Sequence, residues 1–364
     1  MKGTSPSRYG IEVPRLSCLF INHIREGEVM SEITTVGIDL AKQVFSVHAV
    51  DGQGTVILRR TVRREKLGEL VAQLPLCRIG MEACSGAHQW ARQFQALGHD
   101  VRLMAPKFVI PYRKSGKNDS NDAEAICEAV SRPSMHFVPV KSVEQQSVLT
   151  LHRVRQGFVE ERTATMNRVR GLLAEFGIVL PQRAVELRRR LPAVLEQLPP
   201  LAVRAVTDLQ AHIAVLDERI SEYERELARL TRQNPAAQRV QALPGVGPLT
   251  ASALVASVGT AHEFDNGRQF AAWLGLVPRQ YSTGGKTRLG HITRRGDPYL
   301  RTLLILGARS VLPTAGRHED RRSRWALSVR ERRGYHRACV AIAAKNARII
   351  WALLAKEEDL NLAA

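Results

Sequence analysis

Strand-period runs fill the first part of this chain and give way near residue 140 to helical spacing alone, and that change limits the folds open to it. From Thr34 to Met104 apolar residues arrive in short, β-branched runs: Val36-Gly37-Ile38, Val44 to Val50 before the turn Asp51-Gly52, Thr55 to Val62, Arg78 to Met81, and Asp100 to Met104. Helical spacing fills Lys66 to Leu74 and about His88 to Leu97. A meander of three antiparallel strands followed by β-α-β units predicts a mixed sheet with helices on its faces. From about Val143 helical spacing takes over, as far as Arg232 with breaks near Pro181 and Pro199-Pro200, then from Gln233 to Ala364 with Gly-rich interruptions. Asp297-Pro298 reads as an N-cap and N1 pair opening one of these helices. The expected class is α/β plus all-α, divided into a leader (1–30, without a sustained period and ending at a second methionine, Met30), an α/β domain (31–140), a helical spacer (141–232) and a helical C-terminal domain (233–364).

Within the spacer, Leu209, Ile213, Leu216, Ile220, Tyr223, Leu227 and Leu230 alternate steps of four and three, an a/d seam over three heptads. Such a stripe serves either a coiled coil between protomers or a helical hairpin within one chain. We favour the seam between protomers.

Charge narrows the function. Fifty-three Lys and Arg against 35 Asp and Glu leave a formal +18. From Arg279 to Arg348 the chain carries 17 bases, 15 of them Arg, and 4 acids, so most of the excess lies in this segment. A solvated helix face normally mixes signs. One dominant sign, carried by the side chain whose fork fits phosphate oxygens, points to nucleic acid. No run approaches the roughly 18 apolar residues of a spanning helix, and the first 30 residues lack a secretory h-region. Five scattered cysteines form no CxxC pair, which fits a reduced cytoplasm, and the eleven histidines show no HxxxH or HExxH spacing.

Four carboxylates occupy unusual places. Asp39 ends the first strand, in VGIDLAKQVF, and Glu82 the fourth, in IGMEACSGA. Asp119 and Asp122, in KNDSNDAEAICEAV, stand i,i+3 on or beside the helical stripe of Ala123, Ile126 and Val130. Singly, each has a plainer reading, as a helix-dipole acid or a loop residue. Together, at strand, strand and helix positions of an RNase H-like layout, they read as oxygen ligands for two Mg²⁺ ions, one activating an attacking oxygen and one stabilising the leaving oxygen.

The segment PRQYSTGGKTRLGHITRRGD contains GGKT, but a P-loop would need glycine where Gln280 stands and a buried strand before it, so an ATPase is excluded. What remains is a Gly-rich loop carrying Ser282 and Thr283, with Lys286, Arg288, Arg294 and Arg295 close behind. A hydroxyl there is suited to attack a phosphodiester while the bases stabilise the phosphorane charge, although a turn residue is the commoner role for such a serine. Upstream, ALPGVGPLTASALVASVG has the turn of a helix-hairpin-helix, in which Gly245 and Gly247 bring backbone N–H groups to a phosphate; a tight turn between packed helices is the alternative.

These segments carry a family resemblance. GIDLAKQVFSVH, MEACSGAHQWA and KNDSNDAEAICEA resemble the DEDD, RuvC-like domain of the transposases of insertion sequence family 110. LPGVGPLTASALVASVG and FAAWLGLVPRQYSTGGKTRLGHITRRGDPYLRTLLILGA resemble that family's second domain, most closely its 1111 subgroup. The resemblance spans residue 34 to about 355. It implies a DNA recombinase that excises and inserts its element through a circular intermediate, guided by an element-encoded structured RNA that pairs with donor and target DNA. It implies that Asp39, Glu82, Asp119 and Asp122 form the metal-binding tetrad. A serine in the stretch Tyr281 to Gly284 would form a 5′-phosphoserine link, in an active site to which the RuvC-like domain of one subunit and the C-terminal domain of another contribute. Ser282 and Thr283 both fit the position, and we assign Ser282 because its primary hydroxyl is less hindered. Partners implied are double-stranded DNA, the guide RNA and further copies of the chain, dimers pairing into a tetramer, with no membrane and a bacterial cytoplasmic, nucleoid-associated setting. The alternatives are a RuvC-like structure-selective endonuclease using metal-activated water, and a non-catalytic nucleic-acid-binding protein.

Overall fold

The computed structural model describes residues 32–114 and 119–360. The leader expected over 1–30 lies outside the described residues, as does the side chain of Asp119. The chain divides into two compact units, Met1–Val138 and Pro139–Ala364.

The first unit is built on a six-stranded sheet in the order β3-β2-β1-β4-β5-β6. Its strands are β1 (Thr35–Asp39), β2 (Val44–Val50), β3 (Val56–Arg63), β4 (Arg78–Glu82), β5 (Asp100–Met104) and the short β6 (Phe137–Val138). The first three pair antiparallel, β1, β4 and β5 are parallel, and β6 returns antiparallel. The meander and β-α-β pattern expected from the sequence are therefore present; β6 was not anticipated. Helices α1 (Arg64–Ala72) and α2 (Ala87–Ala96) make the crossovers, α3 (Pro106–Val109) is one turn, and α4 (Asp119–Val130) packs on the sheet. Val36, Ile38, Ile79, Met81 and Leu103 of the strands and Leu67 and Phe94 of the helices are fully buried, while Ile126 of α4 packs with Met104 on the other face, the burial pattern of a sheet covered on both sides.

Two glycines set how α4 lies. Gly37 of β1 and Gly80 of β4 are register partners on adjacent parallel strands. A Cβ on Gly37 would run into the Ala123 carbonyl and stand 2.5 Å from the Cys127 nitrogen; one on Gly80 would stand 2.8 Å from the Val130 Cβ. The bare pair lets the helix backbone rest directly on the sheet.

The second unit is helical. α5 (Val143–Ala174) opens with a capping box between Ser142 and Gln145 and runs against α7 (Pro200–Gln233), with α6 (Ala184–Leu195) between them in sequence. Here the structure corrects the seam between protomers. Ile213, Leu216, Ile220 and Leu227 are buried within one chain, and cross-helix pairs Arg155–Glu224 and Arg162–Asp217 flank them. Short connections around α6 make an intramolecular partner available to the stripe, and the apolar face is spent on it.

The remaining helices, α8 (Pro235–Gln241), α9 (Pro248–Val258), α10 (Gly267–Trp273), α11 (Pro298–Val311), α12 (Arg321–Arg333) and α13 (Tyr335–Ala355), enclose a second core around Leu254, Phe270, Leu304 and Ile350. Asp297 caps α11 as expected, its carboxylate accepting from the Tyr299 N–H at 2.7 Å. α13 is, contrary to the sequence expectation, long and apolar enough to cross a bilayer by length and composition; in the fold Ile342, Ala343, Ala347 and Ile350 are buried in this core. A second correction concerns the Gly-rich segment, which is not an irregular loop but a two-stranded antiparallel hairpin, β7 (Pro278–Thr283) and β8 (Lys286–Ile292).

Candidate functional site

In the first unit the strand period decides where the acids point. Side chains alternate faces along a strand, so Asp39 shares the face of Gly37 and Glu82 the face of Gly80, which is the face α4 covers. Both acids stand at the C-terminal ends of parallel neighbours. Asp122, one turn into α4, is 9% exposed and accompanies Ala123 and Ile126 into the interface, as the helical projection expected. Asp119 begins the same helix.

The structure brings Glu82 and Asp122 together through a residue that no sequence pattern singles out. Arg113, just beyond a 3₁₀ turn at Ile110–Tyr112, donates from Nη2 to Glu82 Oε1 at 3.0 Å, and its Nε forms an ion pair with Asp122 Oδ1 at 3.1 Å. Each carboxylate side chain is only 13% exposed, whereas Arg113 is 34% exposed. Its neighbour Lys114 pairs with Glu124 on the same helix, and Arg59 of β3 reaches that carboxylate at 3.1 Å. The Lys114 hydrogen bond, with Lys114, His48 and Arg59 charge behind it, holds the Glu124 carboxyl below its usual range. Burial first, then the charges of Glu82 and Asp39, pushes the Cys84 thiol up, so both strand-end acids bear on one neighbourhood. Among the described residues no three His, Cys, Asp or Glu side chains are gathered as a ligand set. In this arrangement Glu82 and Asp122 are spaced around a guanidinium.

In the second unit the serine segment is exposed along both strands. Gly284 and Gly285 take φ of 55° and 77°, the pair of left-handed residues a type I′ turn needs. Ser282 pairs with Thr287 and Thr283 with Lys286, so the two hydroxyls lie on opposite faces of the ribbon. Ser282 accepts a hydrogen bond from the Gln280 amide at 2.8 Å, on its own face. Thr283 shares its face with Tyr281, Lys286 and Arg288. Arg294 and Arg295 are exposed at the ribbon's base.

The helix-hairpin-helix turn joins α8 to α9. Gly245 packs backbone to backbone on Gly307 of α11, and Arg322 Nη2 and Asn346 Nδ2 donate to the Pro244 carbonyl at 2.9 and 3.3 Å. The missing side chain of Gly245 thus serves helix packing, the plainer alternative for that residue, while Gly247 is exposed at the head of α9. Behind α9, buried His152 of α5 lies 3.0 Å from Ser252 Oγ and 2.9 Å from the Tyr299 hydroxyl. Ser252 donates its own proton to the Pro248 carbonyl at 2.8 Å, so His152 Nε2–H donates to Ser252 and Nδ1 accepts from Tyr299. The imidazole ties α9 and the start of α11 to α5, and burial holds its pKa down to about 4.

Two family profiles match the chain: a transposase profile of the DEDD type over residues 36–178, and the transposase IS116/IS110/IS902 family over 237–324. A probable family 20 transposase of Pseudomonas aeruginosa is 50% identical over 333 residues, covering 89% of this chain and 98% of its own length. The transposase for insertion sequence element IS1111A of Coxiella burnetii is 45% identical, covering 92% and 93%. That for element IS1328 of Yersinia enterocolitica is 43% identical, covering 88% and 97%.

The chain belongs to the IS116/IS110/IS902 family of transposases. As a transposase of an insertion sequence it cleaves and rejoins DNA, and its DEDD-type domain goes with dependence on a divalent metal ion. In this transposase the first profile takes in all four acids and the second takes in the β7–β8 ribbon.

Proposed function

We propose that this transposase is an RNA-guided serine recombinase. Its RuvC-like domain uses Asp39, Glu82, Asp119 and Asp122 to hold Mg²⁺, and Ser282 is its nucleophile. The observation that carries the acid half is the convergence of Glu82 and Asp122, from a strand end and a helix, on one cationic group. A donor set of carboxylate oxygens alone suits a hard ion such as Mg²⁺. The sheet order, with its antiparallel first three strands and α4 across β1 and β4, supports the RNase H-like, RuvC-like assignment. Bound Mg²⁺ supplies activation of the attacking oxygen and charge stabilisation at the leaving one.

The chain's own residues do the rest. Ser282 Oγ bonds to the phosphorus and gives up its proton as the bond to the 3′ oxygen breaks, and that oxygen takes up a proton in turn, leaving a 3′-hydroxyl strand end and a 5′-phosphoserine with no net proton change. The Gln280 amide, on Oγ at 2.8 Å, orients the hydroxyl. Lys286, Arg288, Arg294 and Arg295 hold the flanking phosphates, and the exposed head of α9 at Gly247, with Gly245 setting the turn, supplies backbone N–H groups to another. Phosphate contacts carry no sequence information, so specificity rests with the guide RNA, as the family resemblance implies. The working form is a homo-oligomer, dimer to tetramer, on bacterial cytoplasmic DNA, assembled through surfaces other than the buried stripe of α7.

Sequencing RNA that copurifies with the protein, followed by recombination assays with and without it, tests the guidance. A structured RNA encoded beside the gene, required for recombination, is expected. Full recombination by RNA-free protein would overturn it.

A further inference from the structure

We propose that Arg113 is a built-in occupant of the acid pair: its guanidinium keeps Glu82 and Asp122 together, and a divalent cation takes its place. The inference rests on the reading that these acids bind metal. Two nearly buried carboxylates that share one guanidinium repel each other once that cation is withdrawn. Arg113 supplies that cation from a position where a second element is not needed: Nη2 and Nε reach one oxygen on each acid, at 3.0 and 3.1 Å. Glu82 Oε1 and Asp122 Oδ1 are thus already committed to one cationic group, and a metal held by both acids competes with it for them. A guanidinium and a divalent ion cannot share them without placing like charges in contact.

The remainder of the segment is suited to an exchange. Arg113 is partly exposed, so its side chain has water to move into, while both acids are held on a strand end and a helix. Lys114 stays anchored through Glu124, which Arg59 also holds, so the backbone beside Arg113 keeps its place when the guanidinium leaves. Arg113 is therefore a positioning residue, acting through Glu82 and Asp122 and not on the DNA.

Mn²⁺ binding to the full-length protein, followed by electron paramagnetic resonance of free Mn²⁺, tests this alongside thermal unfolding. Arg113→Met removes the charge and keeps the stem; Arg113→Lys keeps a charge that cannot bridge both oxygens. Arg113→Met is expected to bind Mn²⁺ more tightly than wild type by about tenfold or more, the scale on which groups around a metal's ligands tune affinity. It should also unfold at lower temperature without Mn²⁺ and recover more on adding it, with Arg113→Lys between the two. Equal or weaker Mn²⁺ binding by Arg113→Met, with binding still abolished by Glu82→Gln and Asp122→Asn, would overturn the exchange and leave the metal site standing. Mn²⁺ binding indifferent to Glu82→Gln and Asp122→Asn, or missing from every variant, would overturn both.

Discussion

Gly37 and Gly80 face each other across β1 and β4, and α4 crosses the sheet over both. Each lies two residues before an acid, so the alternation that turns the glycines to the helix turns Asp39 and Glu82 to it as well. A side chain on Gly37 meets only helix backbone, which cannot give way. Gly37→Ala should therefore destabilise the protein by about 3 kcal/mol, the upper range for overpacking, in urea unfolding. Gly80→Ala meets the Val130 side chain instead, its Cβ at 2.8 Å and its two methyls just beyond, so Val130→Ala, which removes only the methyls, should recover only part of the Gly80→Ala loss. A neutral Gly37→Ala would contradict the packing described.

The α7 stripe is a core and not a protomer contact. Ile213→Ala and Leu227→Ala, at 5% and 0% exposure, should each cost about 2–4 kcal/mol of folding stability. Sedimentation should show the mass of the folded variants unchanged. Dissociation without loss of stability would return the stripe to a partner.

Stability should fall on acidification through His152. The folded imidazole titrates near 4, against 6.5 in the unfolded chain, so above 6.5 both states are neutral and pH has no hold on it. Between these values the unfolded chain binds the proton and the folded one does not, and stability is lost as pH drops, in total by about 3 kcal/mol. His152→Gln should flatten that part of the stability–pH curve. An unchanged slope would place the titration elsewhere.

On the ribbon, Lys286→Ala with Arg288→Ala should weaken DNA binding without changing sequence preference. The slope of log K against log salt should fall by about 2, close to one for each phosphate that is no longer neutralised. An unchanged slope would remove these residues from the DNA interface.

How much of this was legible in the sequence differs between elements. The sheet was, because Val36–Ile38, Val44–Val50 and Arg78–Met81 carry strand period and composition strong enough to survive any context. Asp122 was placed correctly because a helical projection needs no knowledge of neighbours. Arg113 was not, since its partner Glu82 lies 31 positions away and no local pattern marks the pair. The β7–β8 ribbon was missed because both its faces are exposed and mostly polar, with Tyr281 on one and Leu289 on the other, which erases alternation; the Gly284-Gly285 pair between two short runs was the available signal. The stripe on α7 announced burial but not against what, and only the path of the chain through α6 decides that.

The central claim is a covalent serine link made with metal-held acids, and a suicide DNA substrate tests it most directly. With Mg²⁺ and the copurifying RNA, wild-type protein should form a denaturation-resistant protein–DNA adduct, which Ser282→Ala and Asp122→Asn each abolish while Thr283→Ala retains it. The adduct persisting in Ser282→Ala and vanishing in Thr283→Ala would move the nucleophile to the basic face of the ribbon. Cleavage with no adduct at all would contradict the account and point to hydrolysis by metal-activated water.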